Sequence, residues 1–434
     1  MDSRVLVALG VAIGIGGCGG AVEAPLPDGR QPGEAPGHEE VTATSAAVTG
    51  QPLTLGPDDT WTWYDQVPGA RCADGSPTGF AVNPHRSGSG KLLVFLDGGG
   101  MCDDATSCTA PFKTATHTSY GATDFAAEMT SASSKSEQVN LAPFGSYTWD
   151  KTLGARGIWD RTAASNPFRA YDFVFVPYCT ADAHTGARQD TSSALSSARV
   201  PSNEWFVGFT NFGIFAREVQ ALFPSPPSVA LVGGSAGGFG TLYNYPQLKA
   251  LYPSVPMTVI ADSGIPFWAG DEGFSPRQGF WLGTFAPPGV PSYEEDWMAD
   301  AWGLDATHPV GVHAVTRTGA RRSIYPMQSA LVADALETSD AFGLLEGSND
   351  WVTPWYLHLD VNGLGHPNVA DGQADLDGHV TAVLSNVHTH WMTSTQDPNP
   401  NLRIWNQHHG FLLDDVGTWT QSGVLPWLAS QFAL

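Results

Sequence analysis

Short apolar runs that each stop at a cluster of glycine or polar residues recur along this chain. Lys91–Leu96 (KLLVFL) leads into Asp97-Gly98-Gly99-Gly100-Met101, and Phe173–Pro177 leads into Tyr178-Cys179-Thr180-Ala181-Asp182. Val229–Val232 leads into Gly233-Gly234-Ser235, and Met257–Ala261 into Asp262-Ser263-Gly264. Phe342–Glu346 is followed by Asn349-Asp350, and Leu402–Trp405 by His408-His409. Runs of this length without alternation read as strands buried on both faces, joined by helix-capable stretches. Thr210–Phe223 has apolar residues at helical spacing and predicts a helix crossing over into the strand at Val229. The expected fold is therefore α/β, with a mostly parallel central sheet and its site at the strand C-termini.

One junction carries chemistry. Gly233-Gly234-Ser235-Ala236-Gly237-Gly238 fits the G-x-S-x-G nucleophile elbow, a sharp strand-to-helix turn that lifts a serine hydroxyl above the sheet. A Gly-rich loop with a surface serine would read the same in isolation. The neighbouring runs supply the other parts that ester hydrolysis by serine requires: a base, an orienting acid and an oxyanion hole. In α/β-hydrolases the triad follows the chain order Ser, Asp or Glu, then His. Asp350 and His409 satisfy that order after Ser235, each just past an expected strand. His408 competes with His409, which we favour, and Asp340, Asp360 and Asp262 are weaker candidates for the acid. The oxyanion hole is expected from the amides of Gly99, Gly100 and Ala236, because a glycine turn lets backbone N–H groups converge on a developing negative charge. This chemistry calls for no metal and no cofactor.

Met1–Gly17 carries Arg4 and a short apolar stretch, Val5–Ile15, and reads as a secretory signal rather than a membrane span. It ends Ile15-Gly16-Gly17-Cys18, which resembles a bacterial lipoprotein box with Cys18 as the acylated residue, so a lipid anchor there is the only membrane contact expected; Asp2 beside a single Arg makes the n-region weak and leaves plain secretion as the alternative. Residues 18–55 are rich in Pro, Gly, Ala, Glu and Thr and read as a flexible tether. The rest, 56–434, is expected to be a single large domain. With 20 basic and 43 acidic residues, the net charge of −23 excludes nucleic acid as a partner and disfavours strongly acidic polymers. Beyond Cys18 there remain Cys72, Cys102, Cys108 and Cys179, an even number that suggests two disulfides in an exported chain. Of the three possible pairings, the short spacing favours Cys102 with Cys108, which leaves Cys72 with Cys179. Asp371, Asp375, Asp377 and Gly378 have the look of a calcium loop, but Gln373 and Leu384 stand where ligands are needed, so a solvated acidic loop is expected.

At Phe95–Cys102, Val176–Asp182, Gly234–Gly238, Ala261–Gly264 and Asn349-Asp350 the chain resembles the pectin acetylesterase/Notum family of serine carboxylesterases. The motifs occur in the family's order and cover most of residues 71–434. The resemblance implies an α/β-hydrolase fold and a metal-free Ser-Asp-His esterase, with Ser235, Asp350 and His409 at the matching places. It also implies that Met101 lines the acyl pocket, where the family usually has Trp. The expected substrate is an acylated carbohydrate or small ester, most simply an acetyl ester on polysaccharide. A lipase or peptidase on the same fold, or a glycan-binding lipoprotein without turnover, are the alternatives.

Overall fold

A computed structural model describes residues 46–47, 52–102, 108, 118–130, 135–140, 146–151, 157–189, 204–264, 302–303, 340–347, 388–392, 412 and 424–432. All of them belong to one compact unit, Pro36–Leu434. The strands are β1 (Ala46–Ala47), β2 (Thr62–Asp65), β3 (Phe80–Asn83), β4 (Leu92–Leu96), β5 (Lys135–Asn140) and β6 (Ser146–Lys151). They continue with β7 (Asp172–Val176), β8 (Val229–Gly234), β9 (Met257–Asp262), β10 (Ala341–Gly347) and β11 (His388–Met392). The helices are α1 (Ala122–Thr130), α2 (Gly208–Leu222), α3 (Ala236–Leu251) and α4 (Val424–Phe432).

Nine strands form one sheet in the order β1-β2-β3-β7-β4-β8-β9-β10-β11, and β5 pairs with β6 in a separate antiparallel ribbon. Among the described residues, only β3 runs antiparallel to its neighbours in the large sheet, β2 and β7, and the other pairings are parallel. This is the expected α/β architecture with a mostly parallel sheet. Five of the six expected strands are present as β4, β7, β8, β9 and β10, each shifted by a residue or two at most. The sixth, at residues 402–405, lies outside the described residues. The expected crossover helix is α2, which carries the chain from β7 past β4 to β8.

Alternate side chains of the central strands feed two cores. Leu92, Val94 and Leu96 face one side with Val174, Val176, Leu231, Val259 and the buried faces of α2 and α3. Leu93 and Phe95 face the other with Phe173, Phe175, Val232 and Ile260. That second core is aromatic: Trp159 meets Phe95, Phe173 and Trp61 edge-on, at ring-centroid separations of 5.1, 5.2 and 5.3 Å. Because both faces are covered, the middle strands read as continuous apolar runs, which is why they were legible as strands.

Part of the stretch expected to be a tether through residue 55 is attached to the domain. Ala46–Ala47 pair with Tyr64 and Asp65, the Tyr64 hydroxyl donates to the Thr54 carbonyl (2.8 Å), and Leu53 and Leu55 pack on the core. An edge strand needs only backbone partners, so composition does not reveal it. Both disulfides join as spacing suggested, Cys72 with Cys179 and Cys102 with Cys108. The signal, Cys18 and the acidic loop around Asp375 lie outside the described residues.

Cys72–Cys179 spans 107 residues and Cys102–Cys108 only 6. Loop-closure entropy then predicts that a Cys72→Ser/Cys179→Ser variant loses about 5 kcal/mol of stability, and Cys102→Ser/Cys108→Ser about 2 kcal/mol. Urea unfolding of the two double variants measures the difference; equal losses would show that loop length does not set it.

Candidate active site

Ser235 sits at the seam between β8 and α3. Its amide donates to the Asp262 carbonyl (2.8 Å), adding one bond to the β8–β9 ladder. Its own carbonyl accepts from the amides of Gly238 (2.8 Å) and Phe239 (3.3 Å), the first bonds of the helix. The chain has no intervening residue in which to turn, and Ser235 takes φ 55° and ψ −123°. A non-glycine residue held there stores roughly 1–3 kcal/mol of strain, the signature of an elbow built to present a side chain. Close approach explains the flanking glycines. A Cβ on Gly237 would lie 2.8 Å from the Asp97 carbonyl oxygen, and one on Gly98 would lie 2.9 Å from the Ser235 Cβ. The end of β4 and the elbow are thus in backbone contact.

The segment after β4 is the second wall of the site. Gly99 and Gly100 adopt positive φ, 153° and 74°. Donors from elsewhere hold the carbonyls of this segment. The His184 ring donates through Nε2 to Asp97 (2.8 Å), the Tyr178 hydroxyl donates to Gly100 (2.8 Å), and the Trp302 indole donates to Cys102 (2.8 Å). The amides of Asp97 and Cys102 donate in turn to the carbonyls of Val176 (3.0 Å) and Ala181 (2.8 Å). Across the elbow the Ala236 amide opens α3, where unpaired N–H groups and the helix dipole favour negative charge.

Behind that wall lies a buried polar cradle, Tyr178–His184. Ala181, Ala183 and His184 all have positive φ, at 56°, 51° and 58°. The Asp182 carboxylate holds the turn together, accepting from the Thr180 hydroxyl (2.6 Å) and from the amides of Gly208 (2.7 Å) and His184 (3.1 Å). Burial pushes the Asp182 carboxyl up to about 6, against the lowering pull of those donors. Burial also pushes the His184 imidazole down to about 4, opposed by its bond to the Asp97 carbonyl. His184 is therefore neutral near pH 7, and its proton resides on Nε2, since a carbonyl only accepts.

The remaining candidates fall as follows. Met101 is buried in the core beside Cys102, Cys108 and Trp302. Asp262 lies at the serine end of the sheet, level with Gly234 of β8 and Leu345 of β10, and its carboxylate accepts from the Leu412 amide (2.7 Å) and the Ser263 hydroxyl (3.1 Å). Asp340 is at the opposite end, where it binds the Tyr245 hydroxyl, the Lys249 ammonium and the amide of Met257 at the start of β9. A strand of six residues is about 20 Å long, so Asp340 is not the acid of a site at Ser235. Asp350, Asp360, His408 and His409 lie outside the described residues. In the chain, Asp350 follows the end of β10 by three residues, and His409 precedes Leu412 by three. The roles of Tyr178, Asp182, His184 and Trp302 were not foreseen. Only the first two stood in a recognised motif, and nothing local to Trp302 announces a contact with Cys102, 200 positions earlier.

Among the described residues, no helix is long and apolar enough to cross a membrane, and no group of three or more His, Cys, Asp or Glu is placed to hold a metal.

A family model described as Pectinacetylesterase matches residues 61–144 and 126–272. The chain is 29% identical over 201 residues to human palmitoleoyl-protein carboxylesterase NOTUM, covering 44% of this chain and 34% of that protein. It is 30% identical over 188 residues to the Drosophila melanogaster protein of the same name, covering 41% and 23%. The chain therefore matches about a third or less of the length of these relatives. Among solved structures, the Wnt deacylase Notum from Drosophila superposes with a TM-score of 0.51 at 20% identity, covering 85% of this chain and 93% of that one. That likeness establishes the α/β-hydrolase type of fold.

The two shifted groups of the cradle have opposite effects on stability. His184, lowered from 6.5 to about 4, favours the folded state increasingly as pH rises between about 4 and 6.5, because the unfolded chain binds the extra proton there. Asp182, raised from 3.8 to about 6, does the reverse between about 4 and 6, because the folded state binds the extra proton. The pair nearly cancels in the wild type. Relative to it, Asp182→Asn should gain melting temperature with rising pH over this window, and His184→Gln should lose it. Thermal melts at half-unit pH steps read both slopes; parallel curves for all three proteins would refute the balance.

Proposed function

Through residues 61–272 this chain belongs to the pectin acetylesterase and Notum family, and from that premise we propose that it is a carboxylic ester hydrolase acting through Ser235. The observation that carries the reading is the elbow. Ser235 is held at φ 55°, one residue beyond the sheet and at the mouth of a helix, with the Gly98 backbone against it.

In this mechanism the Ser235 Oγ attacks the acyl carbonyl while His409 takes its proton, and Asp350 orients and charge-balances the imidazolium. The amides of Gly99, Gly100 and Ala236 receive the oxyanion. Collapse of the tetrahedral adduct breaks the ester C–O bond, and His409 returns the proton to the leaving alcohol. Water, deprotonated by the same His409, then attacks the acyl-serine; the Oγ–acyl bond breaks, His409 returns the proton to the Ser235 Oγ, and the carboxylic acid is released. Two features support this assignment of base and acid. β10 ends on the serine side of the sheet, three residues before Asp350, and the Leu412 amide ties the segment after His409 to Asp262, the residue whose carbonyl holds the Ser235 amide.

The substrate class we favour is an acetyl ester on a neutral or weakly charged carbohydrate, in keeping with the pectin acetylesterase match and the net charge of −23. The relatives named as palmitoleoyl-protein carboxylesterases favour a second reading, a long acyl chain. The two disulfides suit folding in an oxidising compartment. A lipid on Cys18 would then hold the enzyme at a cell envelope, its only association with a membrane.

Hydrolysis of p-nitrophenyl esters from acetate to palmitate tests the reading. Acetate turnover is expected to fall by roughly 10⁴-fold or more in Ser235→Ala. A maximum at long chains would select the second substrate reading. Activity that survives the substitution would remove Ser235 from the chemistry.

A further inference from the structure

Side-chain donors hold the backbone at both ends of the Gly98–Gly100 segment. The Tyr178 hydroxyl, wholly buried, donates to the Gly100 carbonyl and accepts from the Ala183 amide, both at 2.8 Å. The His184 ring lies beside it, at a ring-centroid separation of 4.8 Å, and its Nε2 donates to the Asp97 carbonyl. These two bonds close the ends of the arc. The backbone that aims them is itself fixed. The Asn244 amide of α3 donates to the carbonyls of His184 and Gly240 (both 2.8 Å), so the cradle is tied to the helix that begins at the elbow. A Cβ on Gly240 would come within 2.8 Å of the His184 Cβ, leaving no room for the cradle to approach the helix more closely.

A held carbonyl fixes more than its own oxygen. In a planar trans peptide the carbonyl of one residue and the amide of the next point in opposite directions, so the bond to the Asp97 carbonyl sets the aim of the Gly98 amide and the bond to the Gly100 carbonyl that of the Met101 amide; the Gly99 and Gly100 amides lie in the two peptide planes held between these fixed ends. Three left-handed non-glycine residues within Ala181–His184 show that the chain accepts backbone strain to place these donors. Plain packing would need neither the strain nor the hydrogen bonds.

We infer that Tyr178 and His184 are positioning residues of the esterase, which hold the Gly98–Gly100 arc by the Gly100 and Asp97 carbonyls so that its amides are pre-aimed at the oxyanion. They touch no substrate and transfer no proton. The inference rests on the reading of Ser235 as nucleophile and of the arc as oxyanion hole. Because the aim of those amides matters most at the tetrahedral stage, the effect falls on kcat and leaves ground-state binding alone.

The test compares full-length wild type, Tyr178→Phe, His184→Leu, His184→Gln and Ser235→Ala. It measures kcat and KM on a p-nitrophenyl ester, affinity for an alkylboronic acid that forms a tetrahedral adduct with serine, and melting temperature. Tyr178→Phe keeps the ring and removes the hydroxyl, with its bond to the Gly100 carbonyl and the one it accepts from the Ala183 amide. His184→Leu removes the donor to Asp97, and His184→Gln restores an amide N–H at about the position of Nε2. Expected are a ten- to hundred-fold fall in kcat for Tyr178→Phe and His184→Leu, with KM within about twofold, a parallel weakening of the boronate, and recovery of most of the loss in His184→Gln. The proposal is overturned if kcat is unchanged. It is overturned equally if the fall matches the loss of folded, titratable sites, or if Gln at position 184 does no better than Leu. Turnover that persists in Ser235→Ala instead overturns the reading beneath it, so the two failures are told apart.

Discussion

The hydrogen bond from the Ser235 amide to the Asp262 carbonyl, 2.8 Å long, is the constraint on which the rest of the site depends. It continues the β8–β9 ladder one residue past the Gly234–Asp262 pair, so the strand cannot relax before the helix starts. With the amide committed to the sheet and the carbonyl committed to α3, the only freedom left to Ser235 is its φ and ψ, which take up the whole change of direction. Gly233 and Gly237 then follow as a steric consequence, since a Cβ on Gly237 would strike the Asp97 carbonyl and one on Gly233 would strike the Gly237 backbone. β4 and β8 are register neighbours along their full length, and this keeps the Gly98–Gly100 segment opposite the elbow.

The second layer is electrostatic as much as steric. A glycine arc has little rigidity of its own, and here it borrows rigidity from buried polar groups: a phenol, an imidazole, an indole and a carboxylate, each with its partner found. Burying such groups is costly unless they are satisfied. An imidazole kept neutral by burial, and a carboxylate whose charge is met by the Thr180 hydroxyl and the Gly208 and His184 amides, give the cradle a fixed pattern of donors and acceptors behind the Gly98–Gly100 segment.

The parts of this architecture legible in the sequence are those where one strong effect dominates. β4, β7, β8 and β9 are apolar at nearly every position because both faces are covered, and the elbow declares itself by glycines that close contact demands. The edge was not legible. β2 (TWYD), β3 (FAVN) and β11 (HTHWM) mix polar and aromatic residues, so no continuous aliphatic run marks them, although β2 and β3 are buried almost throughout. Asp340 shows the limit of arguing from proximity to a strand: it stands next to β10, but at the wrong end, and direction along the sheet decides its fate. The cradle escaped notice for another reason. Its motif was visible through Asp182, but the bonds that give Tyr178 and His184 a purpose join segments about 80 positions apart, and no local pattern encodes such a meeting.

The contact between the Leu412 amide and the Asp262 carboxylate has a consequence for how the molecule comes into being. Synthesis delivers β4, β7, β8 and β9 in that order, and by residue 264 a nascent chain already holds the strands, the elbow and the arc. The carboxylate at the end of β9, which accepts from the neighbouring Ser263 hydroxyl, gains the Leu412 amide only from a stretch made some 150 residues later. Until that stretch has emerged from the ribosome and folded back, the serine turn stands beside an unfinished neighbour. The segments of the scaffold thus lie together in the first part of the chain, whereas this contact beside the serine turn comes from its far end.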